Sequence, residues 1–274
     1  MDMVDLKKFM ESLDRYIRPQ SFPLAARLCQ SESELPEKVK IPHRDLKMKA
    51  ALCQGVGMAR RYGWTVAVGN EDQNCVYGSL TMGFLPAKKE YLDGGFMESI
   101  ASTVTGPLIP YQTQRDPAAR TAQTLKRLEY GKYSHLLLSP LHDAAFEPHF
   151  VIVYGNSAQM TRLAQGALWE RGGGLPAMLL MGVACSLMVA NTMLTDECQF
   201  ILPCHGDRIL GTTQDHEMSF TIPISKVEPV MRGLAGSHKT GVYRYPVPSQ
   251  IRFEAEFPET YPKLRAFLEK QDSE

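Results

Sequence analysis

Two stretches of this chain share one plan, and any fold must accommodate both. In the first, Leu52-Cys53-Gln54 opens a helical run that ends at Arg61-Tyr62-Gly63. Trp64 to Val68 then reads as a strand, and the polar loop after it ends at Cys75. In the second, Ala184-Cys185-Ser186 opens an apolar helix that ends at Asp196. Cys198 to Pro203 reads as a short buried strand, which delivers Cys204-His205-Gly206-Asp207-Arg208 into one loop. We read these as two copies of one helix–strand unit, each with a cysteine at either end.

The geometry of the plan brings each pair of cysteines together. As a helix, residues 53 to 62 span about 14 Å, and a strand over 64 to 69 returns about 20 Å. Gly63 fits the helix stop, because glycine takes the left-handed conformation cheaply. The second unit repeats the figures, with about 16 Å of helix and about 20 Å of strand. Cys53 is therefore expected near Cys75, and Cys185 near Cys204. A four-thiol site needs the further condition that the two units pack against each other about a pseudo-twofold axis.

Charge and cysteine chemistry narrow the classes. Lys plus Arg equals Asp plus Glu, so the net charge is zero. Such a balance supplies no general attraction to nucleic acid or to an acidic membrane. The N-terminal residues are acidic and lack a signal-peptide pattern, so a cytoplasmic protein with six reduced cysteines is expected. Leu175 to Leu194 is uncharged and long enough to span a bilayer. Its glycine, proline and polar residues, and the acidic pair Asp196-Glu197 after it, instead predict a buried core helix. The chain has no P-loop, H-E-x-x-H or G-x-S-x-G, and Gly55-Val56-Gly57 lacks the third glycine of a dinucleotide fingerprint.

The remaining segments fill in an α/β or α+β domain around mixed sheet. Leu6, Phe9, Met10, Leu13 and Ile17 form one face of a first helix. Strands are expected at 22–28, 134–140, 150–154 and 218–223, and helices within 91–105, around 117–129, from 157 to Trp169, and from Ser225 to Leu234. The layout is a single compact domain over 1–234, with duplicated halves at about 1–110 and 134–234. Residues 235–274, with a last helix at 262–269, are expected to pack across the domain or a partner subunit, which leaves a homo-oligomer open.

Phe146-Glu147-Pro148-His149-Phe150-Val151-Ile152-Val153-Tyr154-Gly155-Asn156-Ser157-Ala158-Gln159, with Leu202-Pro203-Cys204-His205-Gly206-Asp207-Arg208, resembles the uncharacterised archaeal-conserved-region (ArCR) family. This family of unknown function occurs in archaea and many anaerobic bacteria. The similarity runs from roughly Leu6 to Leu234. Cys53, Cys75, Cys185 and Cys204 fall on the family's recurring cysteine positions, and Cys29 and Cys198 do not. Ser157 stands where the family usually has proline, and His149 where it often has aspartate. The resemblance implies the folding unit and the cysteine site, and it implies no reaction.

Three functional readings follow from the residues. In the first, Cys53, Cys75, Cys185 and Cys204 hold an iron–sulfur cluster or another soft metal such as zinc, in a protein of anaerobic-type metabolism. It would act on a small organic acid or thioester held by Arg208 or Asn156. In the second, the cysteines only pack, and Asn156, Gln159, Asp207 and Arg208 line a metal-free pocket for a small molecule. In the third, Cys204 is a nucleophile and His205 its base. Asn156 and Gln159 also fit plain cap chemistry, and Asp207-Arg208 a local salt bridge.

Overall fold

The structure is a computed structural model and describes residues 5–98, 112–175, 177–179, 182–241, 243–247 and 257–271. The first helix, α1 (Leu6–Tyr16), starts where the Asp5 carboxylate accepts the Lys8 N–H at 3.0 Å. Its apolar face, Phe9, Leu13 and the following Ile17, is fully buried. The strand β1 (Leu24–Cys29) follows. Helix α2 (Leu52–Tyr62) stops at Gly63, whose φ of 72° is the left-handed value expected there. Beyond it lie β2 (Val66–Gly69), α3 (Val76–Met82) and two single turns, α4 (Lys89–Leu92) and α5 (Gly95–Glu98). The helix expected within 91–105 is thus broken at Gly94 (φ 85°), and its later part lies outside the described residues. Helix α6 (Arg115–Thr124), β3 (His135–Pro140), β4 (Phe150–Gly155) and α7 (Ser157–Leu168) complete the first two thirds of the chain.

The second unit departs from its expectation at one end. Residues 175 to 194 do not form one buried helix. Ala177–Met178 is instead a short exposed strand, β5, and helix begins only at Ala184. Ser186–Asn191 has π geometry and runs into α8 (Thr192–Thr195), which stops at Asp196 in the left-handed conformation (φ 50°). The Thr192 hydroxyl donates to the Leu187 carbonyl at 3.2 Å, five residues back, which suits the wider π turn. An uncharged run does not itself choose between helix and edge strand, and here pairing with β6 (Gln199–Ile201) decides it. Then come α9 (His205–Ile209), β7 (Met218–Pro223), α10 (Ile224–Lys239) and α11 (Thr260–Gln271).

All seven strands form one mixed sheet, in the order β2-β3-β1-β4-β7-β6-β5. That order is symmetric about its centre, with β3 on the side of β1 and β2 although the halves expected at about 1–110 and 134–234 put it in the second. Outward from the junction of β1 and β4 the sequence is β1, β3, β2 on one side and β4, β7, β6 on the other. Every pair among these six strands is antiparallel, including the central one, where Leu24 faces Ile152 and Ala26 faces Phe150. Two three-stranded units therefore meet edge to edge with opposite strand directions, as a pseudo-twofold axis normal to the sheet requires.

Helices cover both faces. On one, α1, α7 and α10 bury Phe9, Leu13, Leu163 and Val230 against Val151, Val153, Phe220 and Ile222. Helices α7 and α10 cross at Gly166 and Gly233, where a Cβ on Gly233 would have no room beside the Gly166 carbonyl. On the other face, α2 and the π segment both lie over Leu28, Leu136, Leu138, Ile152 and Tyr154. The two helix–strand units thus share one side of the sheet. In the tail, residues 260–270 of α11 are exposed, including Leu264, Phe267 and Leu268, which leaves packing against a partner subunit open.

Candidate functional site

Cys53, Cys75, Cys185 and Cys204 line one cavity of about 60 Å³, between α2, the start of α3, the π segment and α9. A buried water needs about 10–15 Å³ on this measure, so the space exceeds a single solvent molecule. The rest of the wall is largely apolar, with Leu52, Val56, Leu136 and Met188 among its residues. Both units place their cysteines alike. Cys53 and Cys185 sit at the start of the unit's helix, and Cys75 and Cys204 immediately precede the short helix after its strand. Cys29 and Cys198 lie elsewhere, buried in other parts of the core, where burial raises their pKa to about 11 and about 12.

All six cysteines are free thiols. The Cys53 thiol donates to the Gly206 carbonyl at 3.5 Å and the Cys185 thiol to the Thr81 hydroxyl at 3.8 Å, both weak bonds. Burial pushes both pKa values up, and the other thiols nearby push the same way, with Asp207 adding to the effect at Cys53. Both thiols therefore hold their protons more tightly than an ordinary cysteine, and a soft cation would have to displace them. Among the described residues, no group of three or more His, Cys, Asp or Glu is arranged to hold a single metal ion.

Asp207 is the one acidic side chain on the cavity wall, and it is 2 % exposed. The Tyr154 hydroxyl donates to its two oxygens at 3.2 and 3.3 Å. Behind Tyr154 lies Arg60, its guanidinium 4.0 Å from the ring centroid. Arg60 grips Glu217 with two bonds, at 2.9 and 3.0 Å, and also donates to Ser21, Thr212 and Thr213. A buried chain of polar groups thus runs from Glu217 through Arg60 and Tyr154 to the cavity. It is absent from our reading of the sequence. The signal was there: on α2, Arg60 follows Val56 by four residues, so a full charge sits on the buried stripe.

Burial raises the Asp207 pKa to about 6, against the opposing pull of Arg60 and the Tyr154 hydrogen bond. The folded state therefore keeps a proton that the unfolded chain has released. Stability from this group falls as pH rises from about 4 to about 6. Asp207→Asn should remove that slope and gain about 2 kcal/mol over wild type between pH 4.5 and 7.5. Urea unfolding at the two pH values measures it, and parallel losses in both proteins would refute the assignment.

The other expected site residues are placed elsewhere. Asn156 and Gln159 form a capping box on α7, with reciprocal bonds of 2.8 and 3.0 Å, and neither lines the cavity. The Gln159 amide also donates to Ile17 and Arg18 carbonyls, so it ties α7 to the end of α1. Arg208 turns away, donating to the Gln214 carbonyl at 2.7 Å and lying 3.9 Å from Asp215. It does not pair with its neighbour Asp207. His205 is exposed and outside the cavity wall.

A model of the uncharacterised ArCR family, domain of unknown function 169, matches residues 12–233. The chain belongs to this family. No curated protein and no solved structure matches it. The ArCR region takes in the whole sheet, α2 to α9 and all four cavity cysteines, and it stops before α11. No helix among the described residues is long and apolar enough to cross a membrane.

Proposed function

We propose that this ArCR protein holds an iron–sulfur cluster on Cys53, Cys75, Cys185 and Cys204, in anaerobic-type metabolism. The single observation that supports the reading is that four thiols, drawn from two similar units, line one cavity while the other two cysteines lie apart. Thiolates are soft ligands and suit iron–sulfur groups or zinc over harder cations. A single zinc ion draws its sulfurs to about 2.3 Å, and a cluster holds them further apart. The cavity, larger than one water, leaves room for a group bigger than a single ion.

When bound, such a group supplies electron transfer, or a Lewis-acid iron if one position stays open. The chain's part is to keep water out with an apolar wall and to present one carboxylate, Asp207, to whatever enters. Arg208 and Asn156 do not line the cavity, and among the described residues no cation on the wall is available to hold an organic-acid anion.

Protein purified without oxygen is expected to be brown and to contain iron and acid-labile sulfide. Colourless protein without iron, or protein with zinc alone, would refute the cluster. Fast, stoichiometric alkylation of Cys204 in colourless protein would then favour a thiol enzyme.

A further inference from the structure

The last helix carries an apolar stripe that the single chain leaves open. In α11, Tyr261, Leu264 and Leu268 recur at i, i+3 and i+7 and share one side. Phe267, three residues after Leu264, widens the stripe, and the Phe257 ring lies 5.7 Å from that of Tyr261. All five side chains are between 50 and 66 % exposed. The polar side is closed on itself, with Lys263 bound to Glu259 and Arg265 to Glu269. A helix of 12 residues is marginal alone in water, and it persists when its apolar stripe is buried.

A groove of about 650 Å³ lies between the start of α1, residues 144–148 and the start of α10. Leu6, Ala144, Phe146 and Ile224 give it apolar, half-buried walls, and its charged wall residues, Asp5 and Glu147, are both acidic. An amphipathic helix binds such a groove through anchors at i, i+3 and i+7. The basic residues flanking the stripe, Lys263 and Arg265, are held only by exposed i,i+4 pairs, which are worth little, so either is free to turn to Asp5 or Glu147. Side chains of about 150–250 Å², each about half exposed, offer on the order of 500 Å² per tail. Two such contacts, counted with the groove surface they cover, bury on the order of 2,000 Å², the size of a stable dimer interface.

We propose that α11 of one chain docks into the groove of a second copy, and that the second copy returns its own α11. Reciprocal exchange closes on a twofold axis and leaves neither a tail nor a groove over, so it ends at a dimer. The connection from α10 to α11, residues 240–259, reaches up to about 65 Å, which is ample for the crossing. The groove belongs to the face of α1, α7 and α10, away from the thiol cavity, so the association does not depend on a cluster.

Sedimentation equilibrium of the full chain over a concentration series should give twice the chain mass. Leu264→Asp/Leu268→Asp breaks the stripe, and Ala145→Arg/Glu147→Lys fills the groove and reverses its charge. All four positions are exposed, so both variants should fold, with far-ultraviolet circular dichroism unchanged. Each variant alone should sediment as a monomer. Mixed in equal amounts, the two should form a one-to-one heterodimer, because one keeps its groove and the other its tail. Monomeric wild type overturns the proposal, whether the tail is free or folded back on its own chain. So does either variant that stays dimeric: a dimeric groove variant would mean that tails pair with each other, and a dimeric tail variant that another surface associates. A mixture that yields no heterodimer overturns it as well.

Discussion

Glu217→Ala should lower stability by about 3–5 kcal/mol, the largest loss expected from any single surface-distant charge in this fold. The Arg60 guanidinium is buried and has no other acidic partner within its bonds; its remaining contacts are Ser21, Thr212 and Thr213 oxygens. Removing the carboxylate strands a full positive charge against the Tyr154 ring. Glu217 also accepts the Gln214 N–H at 2.7 Å, so the loop returning from α9 loses an anchor as well. Arg61 binds the same carboxylate from a partly exposed position, and Arg61→Ala should cost only about 1 kcal/mol or less. Urea unfolding of the two variants gives the comparison. A Glu217→Ala loss no greater than that of Arg61→Ala would show that the buried chain does not hold the cavity end of the fold.

Serine at any one of Cys53, Cys75, Cys185 or Cys204 should abolish most of the bound iron and sulfide, with far-ultraviolet circular dichroism unchanged. A hydroxyl is a poor soft-metal ligand, and loss of one corner opens the group to solvent. Because the units are equivalent, Cys53→Ser and Cys185→Ser should behave alike, as should Cys75→Ser and Cys204→Ser. Cys29→Ser and Cys198→Ser are the controls. Each buries a hydroxyl in a core away from the cavity, so each should lose roughly 1–3 kcal/mol and keep its iron. If iron followed global stability across all six variants, the four cysteines would have no special place. If it followed the cavity alone, they would be its ligands.

Much of the site was legible before the fold. The helix stop at Gly63, the strand after it and the repeat around Cys185 are short-range features, set by glycine's backbone freedom and by apolar spacing. They fall where the sequence puts them, to within two or three residues. The division of six cysteines into four and two also holds in space. The polar candidates are placed outside the cavity wall. Asn156 and Gln159 have the polarity of ligands, and their bonds go to each other's backbone, to Ile17 and Arg18, and to Tyr245. Arg208 sits beside Asp207 in sequence, yet one turn of α9 points the two apart, Asp207 inward and Arg208 to the 214–215 backbone.

The sequence alone thus determined the two helix–strand units, the positions of their cysteines and the first helix, because those depend on residues a few places apart. Only the tertiary structure decided that the units meet across β1 and β4, which turns two local pairs of thiols into one cavity. It also decided that 177–178 is an edge strand and that Arg60, Tyr154 and Asp207 line up behind the wall. Those outcomes depend on which apolar faces are buried against each other. Residues more than 150 positions apart, such as Arg60 and Glu217, then share one buried charge pair that no local pattern records.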